Sequence, residues 1–269
     1  MLKRYEVDPK SFTENDMSDL AYWVGVAQSD GHFKTENCPS HRATRYFVQV
    51  CIVTSLPMLE KFRQISQRVL KRTNAFYKYE KTGLVIFKIS VGKLLTVFKE
   101  LDIDFSDPPK PPKWCLTNPK FFGSYLAGVI DGDGDVRFRR PQYPQCPIRI
   151  TSSKPQFELQ KGIKKVMGCS SSIREDTRYR SINGRSFLST SYVLEFLISS
   201  KTIDFAHKYF VSHLAMEHKK SKILAFIEME GHRRDSNSNQ ELIAKSFLKI
   251  CPQAPTLPLR HGGQDYKHY

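Results

Sequence analysis

The sequence is short of acidic residues: 27 Asp and Glu stand against 42 Lys and Arg in 269 residues, a formal net charge of +15. Such an excess costs self-repulsion, and a polyanion that neutralises it is the usual reason for keeping it. Nucleic acid is favoured over a membrane surface, because the basic residues lie in short alternating segments and not along one long amphipathic helix. No apolar run reaches the roughly 18 residues that span a bilayer. Residues 1–8 lack the apolar core of a secretory signal. The expectation is an intracellular protein of a prokaryotic cytoplasm or an organelle. Cysteine is also sparse. The six cysteines include no C-x-x-C pair, which argues against a disulfide framework and leaves reduced thiols. Cys38 and His41 have a ligand-like gap but no second pair, so structural zinc is not expected.

What the chain does have is a repeat. Residues 20–31 (LAYWVGVAQSDG) are answered by residues 125–134 (YLAGVIDGDG). Each reads as a short apolar helix with a mid-helix glycine, Gly25 or Gly128, ending in Asp-Gly. The order of elements then repeats. Strands at 32–36 and 46–54 surround a tip holding Cys38, His41 and Arg42, and a helix begins at Ser55-Leu56-Pro57, with Ser55 or Thr54 as N-cap. A hairpin at 75–80 and 84–90 and a helix from Lys93 to about Leu101 complete the first half. The second half offers strands at 136–140 and 147–152 and a helix begun by Ser153-Lys154-Pro155, with Phe157, Ile163 and Val166 on one side. Strands at 172–181 and 187–199 flank Asn183-Gly184, a preferred hairpin dipeptide, and a closing helix runs from Thr202 to about Leu214. Short segments match in the same order: IVTSLP at 52–57 with ITSSKP at 150–155, and FKIS at 87–90 with FLIS at 196–199. The boundaries drawn are 1–105 and 120–227 for the halves, 106–119 for a stiff proline-rich linker, and 228–269 for a polar, partly disordered extension with a short helix near 241–250.

Glycine inside a helix costs roughly 1 kcal/mol relative to alanine, so Gly25 and Gly128 at equivalent places suggest that the two helix backbones approach closely. Gly31 and Gly134 read as left-handed caps. Asp30 and Asp133 would then meet at the negative ends of two helix dipoles. At about 4 Å and an effective dielectric near 20 they would repel by roughly 4 kcal/mol. Divalent cations relieve both problems, and hard carboxylate oxygens suit Mg²⁺, with Mn²⁺ or Ca²⁺ able to occupy the same place. Two nearby ions can activate water and stabilise a leaving oxygen in phosphodiester cleavage. The run Asp131-x-Asp133-x-Asp135 is not an EF-hand, because Val136 and Gln142 stand where glycine and Glu are needed. Asp131, opposite Gln28 in the other copy, is read as support.

With these residues the chain resembles the single-chain LAGLIDADG homing endonucleases, residues 126–134 (LAGVIDGDG) lying close to the eponymous motif and the first copy more loosely so. The resemblance covers about residues 15–227. It implies an α+β fold of two pseudo-symmetric αββαββα repeats, each with a saddle-shaped antiparallel sheet, packed through the two motif helices. It also implies a monomer that cleaves long asymmetric double-stranded DNA sites across the minor groove, often intron-encoded. By resemblance Asp30 and Asp133 bind the metal, Ser29 and Gly132 beside them add ligands, and a basic residue near the site (Lys113, Lys219 or Lys220) assists.

The implied sheets would lie in major grooves. Strand alternation turns His32, Lys34, Glu36, Arg45, Gln49 and Lys88 outward in the first half. In the second it turns out Asp135, Arg137, Arg139, Arg149, Thr151, Arg174, Arg178 and Arg180. Arg–guanine and Gln–adenine are the usual pairings there. The alternative is a group I intron maturase on the same scaffold, binding intron RNA. A transcription regulator would need a helix-turn-helix for which the sequence after Phe226 is too polar, and an intein would need a splicing block that does not flank the repeats.

Overall fold

A capping box starts the first motif helix. Asp16 N–H donates to Thr13 Oγ1 at 3.1 Å and Thr13 N–H donates back to Asp16 Oδ2 at 3.1 Å, opening α1 (Glu14–Ser29). Its copy, α4 (Pro119–Asp133), starts on Asn118, whose side chain accepts from the Lys120 N–H at 2.9 Å. Both helices are buried nearly all round, as a central pair must be. The computed structural model describes residues 7–38, 43–74, 76–79, 82–139, 145–182 and 185–234.

After α1 come β1 (Gly31–Cys38), β2 (Ala43–Ile52), α2 (Leu56–Arg68), β3 (Phe76–Tyr79), β4 (Leu84–Ser90) and α3 (Leu95–Glu100). After α4 come β5 (Gly134–Val136), β6 (Cys146–Ser152), α5 (Phe157–Gly162), β7 (Ser171–Ile182), β8 (Arg185–Ile198) and α6 (Ile203–Phe205). The two sheets have the same antiparallel order, β1-β2-β4-β3 and β5-β6-β8-β7. The expected α+β fold of two pseudo-symmetric halves is what the chain adopts.

Alternation sorts the strands as period-2 patterning requires. Val48, Val50, Phe87 and Ile89 of one sheet, and Ile148, Ile150, Leu194 and Phe196 of the other, are buried against the helices. In the first half α2 closes the core. Trp23 stacks on Phe62 with centroids 4.9 Å apart, and its Nε1–H donates to Ser66 Oγ at 2.8 Å.

Several details differ from the sequence expectation. Ser55 holds the N-cap position of α2 without a side-chain cap bond. β5 ends at Val136; farther on, Arg139 pairs with Gln145 only as an isolated bridge. α5 begins after Gln156, whose buried side chain donates to the Ile150 carbonyl at 3.1 Å; Phe157 is 57% exposed, while Ile163 and Val166 do pack on the core, joined by Leu159 and Met167. The proline-rich linker, expected as a stiff connector, is also packed, since Pro109, Pro111 and Pro112 are buried. An unanticipated helix, α7 (Glu217–Arg234), docks through Ile223, Phe226 and Met229. His41, Arg42, Asn183-Gly184 and the helix expected near 241–250 lie outside the described residues. Among the described residues no helix is long and apolar enough to cross a membrane.

Candidate active site and outer sheet faces

The two motif helices meet at their glycines. A Cβ on Gly25 would stand 2.3 Å from the Tyr125 carbonyl oxygen and 2.9 Å from the Val129 nitrogen, and one on Gly128 would stand 2.2 Å from the Tyr22 oxygen. No side chain fits there, so the backbones touch. Farther along, a Cβ on Gly132 would fall 2.2 Å from Ser29 Oγ and 3.4 Å from the Asp30 nitrogen. The helix tips therefore converge, with Asp30 as the C-cap of α1 and Asp133 as the last residue of α4. Burial, and then the charge of Asp30, push the Asp133 carboxyl up to about 7. Burial raises Asp30 as well, opposed by the charges of Lys219 and His32. Asp30, Asp133, Ser29 and Gly132 are thus gathered in one place.

Gly31 and Gly134 are not left-handed caps. Gly134 has φ −79° and ψ 141°, and positive φ among described glycines occurs at Gly83 and Gly168. The need for glycine is steric: each strand leaves so tightly against the last helical turn that a Cβ would meet the Ala27 oxygen at 2.2 Å or Ile130 Cα and oxygen at 2.5 Å.

Behind the acids lies a reciprocal pair of bonds. Tyr22 O–H in α1 donates to Asp131 Oδ2 at 2.8 Å, and Tyr125 O–H in α4 donates to Gln28 Oε1 at 2.7 Å. Asp131 also accepts from the Ala215 and Met216 N–H groups at 2.6 and 3.2 Å, while Gln28 Oε1 accepts from the Lys110 N–H at 3.1 Å. In each half this residue ties the returning chain to the motif helix and satisfies its buried polar atoms. The supporting place given to Asp131 agrees with this arrangement. The two tyrosines went unnoticed in the sequence, although they align with each other when Gly25 is set on Gly128.

The lysines separate clearly. Lys219, 8% exposed on α7, donates through Nζ to the Ile130 and Asp131 carbonyls at 2.7 and 2.8 Å, capping the end of α4. Burial lowers its pKa, opposed first by Asp131 and then by Asp30 and Asp133. Lys113 instead leaves 88% of its side chain exposed, with Nζ 3.9 Å from Asp102. Lys220 is half-buried and has its electrostatic influence on Lys61. Lys61, missed in the sequence, lies 3.7 Å over the Tyr22 ring and donates to the His213 carbonyl; burial brings its pKa down to about 8.

In β2 and β4 the residues alternate between the core and the outer face, whereas Phe33 and Thr35 of β1 are exposed along with His32, Lys34 and Glu36. His32 pairs with Gln49 and Gln49 with Lys88; Glu36 pairs with Arg45 and forms an ion pair with Lys88. On the second sheet Asp135, Arg137, Arg149, Thr151, Arg174 and Arg178 line one groove. Arg139 and Arg149 share the carboxylate of Glu195, and Arg180 stands in register with Phe187. Among the described residues no group of three or more His, Cys, Asp or Glu forms a closed metal cage.

No protein-family model and no curated protein matches the sequence. Solved structures do match in fold. I-DmoI, in complex with its target DNA nicked in the coding strand and with manganese present, aligns over 75% of this chain and 99% of its own at 17% identity, TM-score 0.51. The meganuclease I-SmaMI bound to uncleavable DNA aligns over 88% and 94% at 11% identity, TM-score 0.52. The LAGLIDADG homing endonuclease I-GzeII in complex with its DNA target aligns over 86% and 96% at 11% identity, TM-score 0.51.

Proposed function

We propose that this chain, which has the fold of the LAGLIDADG homing endonucleases, is a site-specific endonuclease of double-stranded DNA that uses a divalent cation held by Asp30 and Asp133. The convergence of two acid-bearing helix ends carries the reading. Two half-buried carboxylates at the negative ends of two helices, one raised to about 7, form a site short of positive charge. The donor set also fits: hard carboxylate oxygens, with Ser29 and Gly132 packed together beside them, suit Mg²⁺, Mn²⁺ or Ca²⁺ and leave coordination places for water and phosphate. A bound cation there supplies Lewis-acid charge and a more acidic water for phosphodiester hydrolysis. Asp131, Gln28 and the tyrosines hold the helix ends in place, and the basic outer faces bind the duplex. One chain carries both halves, so it acts as a monomer.

A maturase that only folds intron RNA has no need of the acid pair, so the presence of both favours cleavage. The test is incubation of the full chain with a randomised duplex library and Mg²⁺, followed by sequencing of cut ends. Cut species that vanish with EDTA are expected. No cutting across a wide salt range, with intron RNA competing duplex away, overturns the proposal.

Lys219 offsets the acid charge and caps α4, and its third ammonium hydrogen is free to reach toward a phosphate. Lys219→Met is expected to slow cleavage about 10²-fold or more while leaving the dissociation constant within a few-fold. Lys113→Met, on an exposed side chain, should change the rate little. Single-turnover cleavage and gel-shift titration of both variants check the split. Equal effects of the two would remove Lys219 from the site.

A further inference from the structure

The outer faces of the two sheets differ in chemistry. Three arginines of the second sheet are held side-on by carboxylates through Nε. Arg149 Nε donates to Glu195 Oε2 at 2.6 Å, and Arg178 donates through Nε and Nη2 to Asp176 at 2.9 and 2.6 Å. Arg137 Nε pairs likewise with Asp135. Side-on bonding leaves the end-on fork, one N–H from each Nη, pointing away from the carboxylate. Arg139 is the contrast: both its Nη atoms meet Glu195 at 3.0 Å, so its fork is spent and it serves to clamp Glu195 beneath Arg149.

A guanidinium paired with a carboxylate has little net charge to offer a phosphate, because counterion release scales with neutralised charge. Its directional donors survive, and fixing them in advance lowers the entropy lost on binding. Such arginines suit base edges better than backbone. Register leaves them room, since Asp176 and Arg178 stand opposite Ser191 and Ser189.

The first sheet presents another surface. Among the described residues Arg45 is the one arginine at its outward positions, which also carry His32, Lys34, Gln49, the ion-paired Glu36 and Lys88, and an apolar set including Phe47 and Ile86. Tyr77 and Tyr79 on the same face are 58% and 56% exposed. Glutamine suits adenine and apolar side chains suit the thymine methyl.

Resting on the endonuclease reading above, we infer that the target is lopsided: the half-site under β5–β8 presents guanines to Arg137, Arg149 and Arg178, and the half-site under β1–β4 is rich in A·T. Each arginine is a specificity residue for one base pair and makes no contribution to the chemical step.

The test is binding selection by the full chain from a randomised duplex library with Ca²⁺, repeated with Arg178→Ala, Arg149→Ala and Glu195→Gln. One half of the enriched consensus should carry the guanines and the other mostly A·T. Arg178→Ala should relax guanine preference at one base pair of the guanine half by about tenfold or more, leaving the other half unchanged. Glu195→Gln should relax the same base pair as Arg149→Ala with overall affinity nearly kept. Guanines spread evenly over both halves, or variants that weaken all sequences alike, overturn the inference while leaving the endonuclease reading intact. Failure to enrich any duplex overturns both.

Discussion

Asp133→Asn is expected to take cleavage below detection in an assay with a ~10³-fold window and, at the same time, to make the cation-free protein more stable. Both effects come from one carboxylate. Its folded-state pKa is pushed from 3.8 to about 7 by burial and by Asp30. A raised carboxyl binds its proton more tightly in the folded than in the unfolded chain, so its contribution is full below about pH 4 and is lost as pH rises through about 7. A shift of this size corresponds to about 4 kcal/mol at most, and partial access to water reduces the expected effect to about 2 kcal/mol. The stability gap between Asp133→Asn and the parent should open between pH 4 and 7 and level off near pH 8. Millimolar Mg²⁺ should close it by stabilising only the parent, as a ligand that binds the folded state must. Urea unfolding across pH, with and without Mg²⁺, measures the gap. A gap indifferent to pH and to Mg²⁺, or a variant that cuts normally, refutes the acid-pair assignment.

Much of this arrangement was legible because the chain repeats itself. Aligning Gly25 with Gly128 placed Asp30 against Asp133 and Gln28 against Asp131, and the repeat of strand patterns anticipated two four-stranded sheets of the same order. What escaped depends on packing between segments far apart in sequence. Lys113, Lys219 and Lys220 look alike in a string of letters, and only the docking of α7 through Ile223, Phe226 and Met229 turns Lys219 beneath the helix end. That helix was missed because its narrow apolar stripe is set among Lys and Glu. Gly31 and Gly134 were given the wrong reason because Asp-Gly at a helix end suggests a left-handed cap, whereas here the chain turns straight into a strand. The outward arginines were expected, but their partner Glu195 comes from β8 and is paired with Arg149 only by strand register.

Gly128→Val should be the most damaging single substitution, costing about 4 kcal/mol or more and preventing accumulation of folded protein if the parent has only ordinary stability. The first added carbon would lie 2.2 Å from the Tyr22 oxygen and 3.0 Å from the Val26 nitrogen. Both are backbone atoms inside a buried helix, so relief requires moving all of α1 away from α4. Moving it breaks the bonds from Tyr22 to Asp131 and from Tyr125 to Gln28, and opens the core around Leu20, Val24, Leu126 and Val129. Gly25→Val should behave the same way, because its clash is the mirror of this one across the pseudo-twofold axis. Gly132→Ala should be milder: the Ser29 hydroxyl can rotate away at the loss of its 2.9 Å bond to the Gly25 carbonyl, and the remaining contact, 2.9 Å to Ser29 Cβ, needs only a small local shift at the helix tips. Gly231→Ala is the control. It lies in α7 with nothing within 4 Å of the added carbon, so helix propensity alone should stabilise the chain by about 0.5–1 kcal/mol. Urea midpoints in the order Gly231→Ala, parent, Gly132→Ala, Gly128→Val are expected. A well-folded Gly128→Val that still cuts DNA would mean that close contact between the two motif helices is not what brings Asp30 and Asp133 together.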